Sequence, residues 1–349
     1  MTNAITWPDE TRRLAFFNWL ASFAANYGLR PETLAPASAD ASFRRYLRIA
    51  GAEASYIVMD APPPLEDTRP FVHVEALVRA AGLRSPQVLQ ADTAHGFLLL
   101  HDLGDQVYLQ ALKDAAPAEA DRLMRDALHA LIRFQQGVPA QALPSFDEAL
   151  MARELALFPE WCVAREFGIT WTEKEQATWD RSCRLLIDSA LAQPVVAVHA
   201  DWMPRNLMVL AAAESNGPGV LDFQDAVAGP ITYDLASLLR DAFISWEEPQ
   251  ELDWAVRWWQ EARRAGLPVD EDFGEFWRAL EWMGLQRHLK VMGIFCRLKH
   301  RDGKPRYAED LPRFLSYAGK VALRYGPLKP LLRLIEPLSG AKVSAGFTF

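Results

Sequence analysis

The sequence predicts an α+β protein in two lobes, a small β-rich lobe over residues 1–102 and a larger helical lobe over 103–349. Three observations carry this. Short apolar runs rich in aromatic and β-branched residues, Tyr46–Ile49, Tyr56–Met59 and Phe97–Leu100, gather in the first hundred residues. From Tyr108 onward apolar residues recur at helical spacing between prolines. One hairpin pattern interrupts the helices, with Leu207–Leu210 and Val220–Phe223 flanking a turn that holds Asn216 and Gly217.

Taken in order, residues 9–27 place Leu14, Phe17, Leu20, Phe23 and Ala24 on one helical face, ended by Gly28. A stretch of small residues precedes Tyr46, and such a loop lets backbone N–H groups approach phosphates. The motif APPPLEDTRP breaks the following strand, and a helix over 70–81 carries Glu75 and stops at Gly82. The strand ending at Leu100 runs into a connection, His101 to Gly104, where an adenine ring is expected against the backbone of Leu100, His101, Asp102 and Leu103. Helices are predicted over 119–136, 147–166, 173–191, 234–245, 248–265, 271–299 and 308–336. Trp254 and Trp258, at helical spacing, read as core.

A net charge of −8 argues against general affinity for nucleic acid or an anionic membrane. Cys162, Cys183 and Cys296 form no CxxC and read as reduced packing thiols. The first 25 residues include Asp9, Glu10, Arg12 and Arg13 and lack the apolar core of a signal peptide. No apolar run approaches the length of a membrane span, so a cytoplasmic location is expected. Composition says nothing about oligomeric state.

The chemistry concentrates between His199 and Asp225, in HADWMPRN and LDFQD. An apolar strand, Val195–Val198, feeds the first motif, and the hairpin joins it to the second. Antiparallel pairing brings the residue before one strand beside the end of the other, so Asn206 and Asp222 meet although far apart in the chain. One carboxylate and one amide oxygen suit Mg²⁺, which keeps waters and takes phosphate oxygens as further ligands. Asp201, on the loop entering the hairpin, is placed to accept a proton from a hydroxyl nucleophile.

These motifs resemble the aminoglycoside phosphotransferase family, the small-molecule branch of the protein-kinase-like fold. The resemblance implies Asp201 as catalytic base, Asn206 and Asp222 as Mg²⁺ ligands, ATP as phosphate donor, and Asp234 as a brace for the catalytic loop. The blocks DASFRRYLRI, MDAPP, GFLLLHDLG and GLQRHLKVMGIFCRL further resemble the bacterial kinases that phosphorylate the anomeric hydroxyl of N-acetylmuramate and N-acetylglucosamine in cell-wall recycling. Kinases for another small hydroxyl acceptor (an aminoglycoside, choline or a homoserine-like metabolite) stand as the alternative, with a catalytically inactive nucleotide-binding regulator behind them.

Two departures stand out. Ala200 occupies the position where protein kinases carry Arg, so control by activation-loop phosphorylation is not implied. The third strand, Tyr56 to Asp60, offers no Lys for the phosphates, and Arg44 or Arg45 is expected to supply that charge, Arg45 foremost, with Glu75 as a candidate partner. Ser42 and Phe43 are assigned with these arginines to the phosphate loop. For the acceptor, the candidates are Trp202 and Arg205 in the catalytic loop, Asp225 beyond the metal carboxylate, and Arg287. Arg287 falls on the apolar stripe of its helix and must be paired or ligand-facing.

Overall fold

The structure is a computed structural model that describes residues 5–38, 43–63, 65–211 and 217–339. Ser42 and Asn216 lie outside the described residues. The chain forms two compact units, Met1–Asp114 with Arg205–Asp225, and Ala115–Pro204 with Ala226–Phe349. This differs from a single division after residue 102. The reason lies in the hairpin, whose backbone bonds to the first unit through Val220 N–H to Arg84 O and Val209 N–H to Gln106 O, at 2.7 and 2.8 Å.

In the first unit, helix α1 (Glu10–Ala21) is capped by Asp9, whose carboxylate accepts the Arg12 N–H at 2.7 Å. After a single turn, α2 (Ala24–Tyr27), Gly28 closes the helical segment in the left-handed conformation. Strands β1 (Arg30–Ser38), β2 (Arg45–Ala50), β3 (Ser55–Asp60), β4 (Val88–Asp92) and β5 (Phe97–His101) form an antiparallel sheet in the order β1-β2-β3-β5-β4, and α3 (Arg69–Ala80) lies between β3 and β4 in sequence. Phe16 and Leu20 of α1 pack with Leu47, Ile49, Val58, Phe97 and Leu99 of the sheet. Leu14, expected on that buried face, is half exposed. The helix instead turns Phe16 inward, where its ring meets Phe97 edge-on at 5.4 Å and Trp7 at 4.9 Å.

α4 (Tyr108–Lys113) ends the first stretch of this unit. The second unit opens with α5 (Pro117–Gly137) and α6 (Glu148–Leu157). The helix expected over 147–166 changes character at Phe158, where a π-helical segment, Phe158–Glu166, takes over. Pro159 has no N–H with which to extend the α-helical ladder. α7 (Glu173–Leu191) starts with a reciprocal capping box between Thr172 and Glu175 and leads into β6 (Val195–Val198).

The hairpin strands β7 (Leu207–Met208) and β8 (Gly219–Val220) pair for two residues each, shorter than predicted. β9 (Val227–Pro230) then returns antiparallel beside β6. α8 (Tyr233–Leu239) stops well before residue 245, because the Asp241 carboxylate accepts the N–H groups of Phe243 and Ile244 and turns the chain. α9 (Glu248–Arg264) buries Trp254 and Trp258 fully, as expected of core residues. α10 (Phe273–Asp302) runs for 30 residues from an Asp272 cap to Gly303. A Cβ on Gly293 of α10 would lie 2.5 Å from the Leu157 carbonyl carbon, so glycine permits the close approach of α6. The predicted helix over 308–336 is two helices, α11 (Leu311–Arg324) and α12 (Lys329–Ser339), separated at Gly326 and Pro327. Among the described residues, no helix is long and apolar enough to cross a membrane.

His288 of α10 is buried between Phe314 and Tyr317, and its Nε2 donates to the Arg240 carbonyl at 3.2 Å. Burial pushes its pKa down to about 3; the Arg240, Arg287 and Arg313 guanidiniums add to the fall, and the hydrogen bond opposes it. A folded-state value below the unfolded one means that stability from neutral His288 is present above the unfolded value and is lost as pH falls through the window toward 3. The loss is up to about 1.4 kcal/mol per pH unit. His288→Phe, which keeps the aromatic packing, is expected to flatten that part of the acid-denaturation curve in a urea titration. An unchanged slope would contradict the assignment.

Candidate active site

The strand β6 is followed by a loop whose geometry is set from α8. Asp234, fully buried in the first turn of that helix, accepts the backbone N–H of His199 at 2.7 Å and of Ala200 at 3.1 Å. Ala200 takes a left-handed backbone (φ 75°), which a non-glycine residue holds only where its surroundings enforce it. The two amide bonds to Asp234 are that enforcement. Burial pushes the Asp234 carboxyl up to about 7, with the two amides and Arg287 pulling down and Asp201 pushing up. Asp234→Ala strands one buried and one part-buried donor and is expected to cost at least about 1–3 kcal/mol, the penalty for the buried one. Chemical denaturation checks it, and a variant as stable as the parent would remove Asp234 from this role.

Asp201 follows Ala200, with its N–H 3.3 Å from His199 Nδ1 and its side chain 51% exposed. Arg287 of α10 donates from Nη2 to Asp201 Oδ1 at 3.2 Å. Arg287 is only 2% exposed, so the structure moves it from the expected acceptor contact to a partner of this carboxylate. Trp202 is likewise corrected. Its ring is fully buried between Phe134 and His199, at 5.7 and 5.5 Å, which makes it packing for the loop rather than a surface for an acceptor.

In the first unit, the Leu221 N–H bonds to the Asn206 carbonyl at 2.9 Å, continuing the β7–β8 register by one residue. The consequence is the juxtaposition expected from the sequence, with Asn206 Nδ2 lying 3.5 Å from Asp222 Oδ2. Asp222 has φ 60°, a second left-handed non-glycine position, which the Gln224 amide supports by donating to Oδ1 at 2.8 Å. Gln224 also reaches the exposed Asp225 at 3.3 Å. Gln224 was not anticipated; its position two residues after Asp222 is the sequence signal for it.

A cavity of about 290 Å³ in this unit is lined by Leu100, His101, Asp102 and Leu103, by Tyr46 and Arg48 of β2, and by Arg205, Asn206 and Asp222. Here the expected linker and the expected metal pair share one wall. The Asp102 side chain is already engaged. It accepts from Arg48 at 2.6 and 2.9 Å, from Ser55 Oγ at 2.7 Å and from the Gly104 N–H at 3.0 Å. Asp102 therefore shapes the connection instead of presenting its carboxylate to a ligand, and the His101 N–H is used by Gln87. Arg48 was missed because its partner lies 54 residues away.

Different partners separate the two candidate arginines. Arg45 lies over the Trp7 ring and bonds Asp60 and the Thr6 carbonyl, so it does not line the cavity. Arg44 stands 3.4 Å from Glu66. Its pKa is raised because, against desolvation, it sits in the field of Tyr46, Glu66, Asp222 and Asp225. Glu75 is also placed elsewhere, pairing with Arg79 and Ser85, each at 3.3 Å. Phe43 is exposed, with its N–H 3.3 Å from Glu66.

A sequence model of the phosphotransferase enzyme family, APH, matches residues 33–286. The chain belongs to that family. An N-acetylmuramate/N-acetylglucosamine kinase of Pseudomonas putida is 51% identical over 311 residues, covering 89% of this chain and 90% of that protein. A protein of the same name from Neisseria meningitidis is 46% identical, covering 97% and 99%. Among solved structures, the GDP complex of wild-type aminoglycoside 2′-phosphotransferase-IIIa superposes with a TM-score of 0.60 at 13% identity, over 89% of this chain and 99% of that one. The phosphotransferase fold is thus shared well beyond recognisable sequence. This member departs from the kinase pattern at strand three, where Asp60 is buried and neutralised by Arg12 and Arg45. An acid held by two guanidiniums stands at the end of the strand expected to present a lysine.

Proposed function

We propose that this phosphotransferase transfers the γ-phosphoryl group of ATP to the anomeric hydroxyl of N-acetylmuramate or N-acetylglucosamine, in the cytoplasm, as a salvage step for cell-wall sugars. The observation that carries the acceptor is the near full-length identity to the Neisseria kinase, 46% with 97% of this chain covered. The nucleotide reading draws support from the GDP-bound neighbour and from the cavity at Leu100–Leu103; on this reading Met1–Asp114 with Arg205–Asp225 is the nucleotide-binding unit.

The donor set fits magnesium. Asn206 and Asp222 come within 3.5 Å, and rotating the Asn206 amide presents its oxygen where the structure has nitrogen. Among the described residues no group of three or more His, Cys, Asp or Glu could hold a metal. Two protein ligands suit an ion that keeps its waters and binds phosphate oxygens. Such an ion supplies charge neutralisation on the transferring phosphoryl group. Arg44, in the same field as Asp222 and Asp225, brings the positive charge that strand three lacks.

Asp201 accepts the proton of the attacking hydroxyl. A hemiacetal hydroxyl is more acidic than an ordinary alcohol, so positioning contributes more than proton abstraction. Arg205 lines the cavity wall, where it offsets phosphate charge, and Asp225 is exposed and available to sugar hydroxyls. An ADP-release assay with ATP, Mg²⁺ and a panel of amino sugars, choline and aminoglycosides tests the reading. Turnover confined to N-acetylated amino sugars is expected, and selective turnover of an aminoglycoside or choline would overturn it.

A further inference from the structure

Arg287 is an expensive residue to bury. A guanidinium shielded from water costs several kcal/mol unless a partner compensates. Its Nε and Nη1 are buried without a hydrogen-bond acceptor among the described residues, and its Nη2 donates to Asp201. The remaining charges around it come from three elements. Asp234 and Asp241 lie at either end of α8 and feel its charge. Lys290, one turn along α10, is held by Glu154 of α6 and the Tyr233 hydroxyl. Gln286 also bonds Glu154, at 3.1 Å. The neighbouring Gln286 and Lys290 of α10 are thus bonded by α6 and α8, Lys290 feeling Asp201 only through its charge, whereas Arg287 hydrogen-bonds the catalytic loop directly.

We infer that Arg287 is the positioning residue for Asp201, a buried guanidinium on a rigid helix that sets the carboxylate's direction and holds its charge beside the acceptor. At 2% exposure it is too deep to touch a sugar, whereas half of the Asp201 side chain faces outward. The bond crosses 86 residues, joining the loop after β6 to the middle of the longest helix. Asp234 anchors the loop backbone and Arg287 aims its side chain. This rests on Asp201 being the base.

The test is a double-mutant cycle. Arg287→Gln is expected to lower kcat about 10- to 100-fold, as small misplacements of reacting groups do. The acceptor KM should stay within about twofold, because only the reacting geometry is disturbed. Arg287→Lys, which keeps the charge, should recover part of the loss. In an Asp201→Asn background, Arg287→Gln should cost almost nothing further, since the carboxylate charge that Arg287 positions is gone. A raised KM with kcat preserved would instead make Arg287 an acceptor contact. An undiminished loss in the Asp201→Asn background would make it a general structural residue. Thermal melting reads the same pair without any sugar. Asp201→Asn should lower the melting temperature by leaving the buried guanidinium without its countercharge, and adding Arg287→Gln should restore most of it. Additive losses would overturn the pairing even if the sugar assignment failed, and a restored melting temperature would uphold it if the parent turned over no sugar.

Discussion

Asp222→Ala is expected to leave no measurable phosphoryl transfer. In the proposed metal site the carboxylate is half of a two-residue donor set beside Asn206, and Asn206 alone would offer one neutral oxygen to a hard divalent ion. The effect must be separated from backbone strain, because Asp222 sits at φ 60° and alanine tolerates that region poorly. Asp222→Asn provides the separation. Asparagine adopts left-handed backbone readily and can accept from Gln224 as aspartate does. It should nevertheless lose nearly as much activity while melting close to the parent, because the missing quantity is charge. Recovery of substantial turnover by the asparagine variant would place the metal elsewhere.

The second large effect is at Asp201. Loss of a general base typically costs ~10² to 10⁴ in rate, and Asp201→Asn is expected in that range on kcat with nucleotide affinity unchanged. The acidity of an anomeric hydroxyl argues for the lower half. Loop geometry should survive, since Asp234 holds the backbone at His199 and Ala200 independently of the Asp201 side chain. Retention of most activity in a coupled ADP assay would remove Asp201 from the chemistry.

Features governed by local pattern were legible in the sequence. The hairpin register needs only two apolar runs and a turn, and it delivers Asn206 to Asp222; the linker after Leu100 follows from one strand and one glycine. Features decided by distant partners were not. Arg44 immediately precedes β2 and Arg45 opens it, and Arg45 is taken up by Trp7 and Asp60 while Arg44 lies in the field of Asp222. Trp202 reads as an acceptor contact in a loop motif, but the rings of Phe134 and His199 pack against it. Arg48 finds Asp102, and Arg287 finds Asp201, across separations that periodicity does not encode. Helix lengths were overrun where a side chain took over the backbone's bonding, as Asp241 does beyond α8.

The most direct measurement is the position of the phosphate in the product. The protein, ATP, Mg²⁺ and N-acetylmuramate are incubated together and the sugar is examined by phosphorus and carbon NMR. Phosphorus coupled to C1, formed in step with ADP, is the predicted result. Phosphate on any other hydroxyl, or ADP released without a phosphorylated sugar, would contradict it.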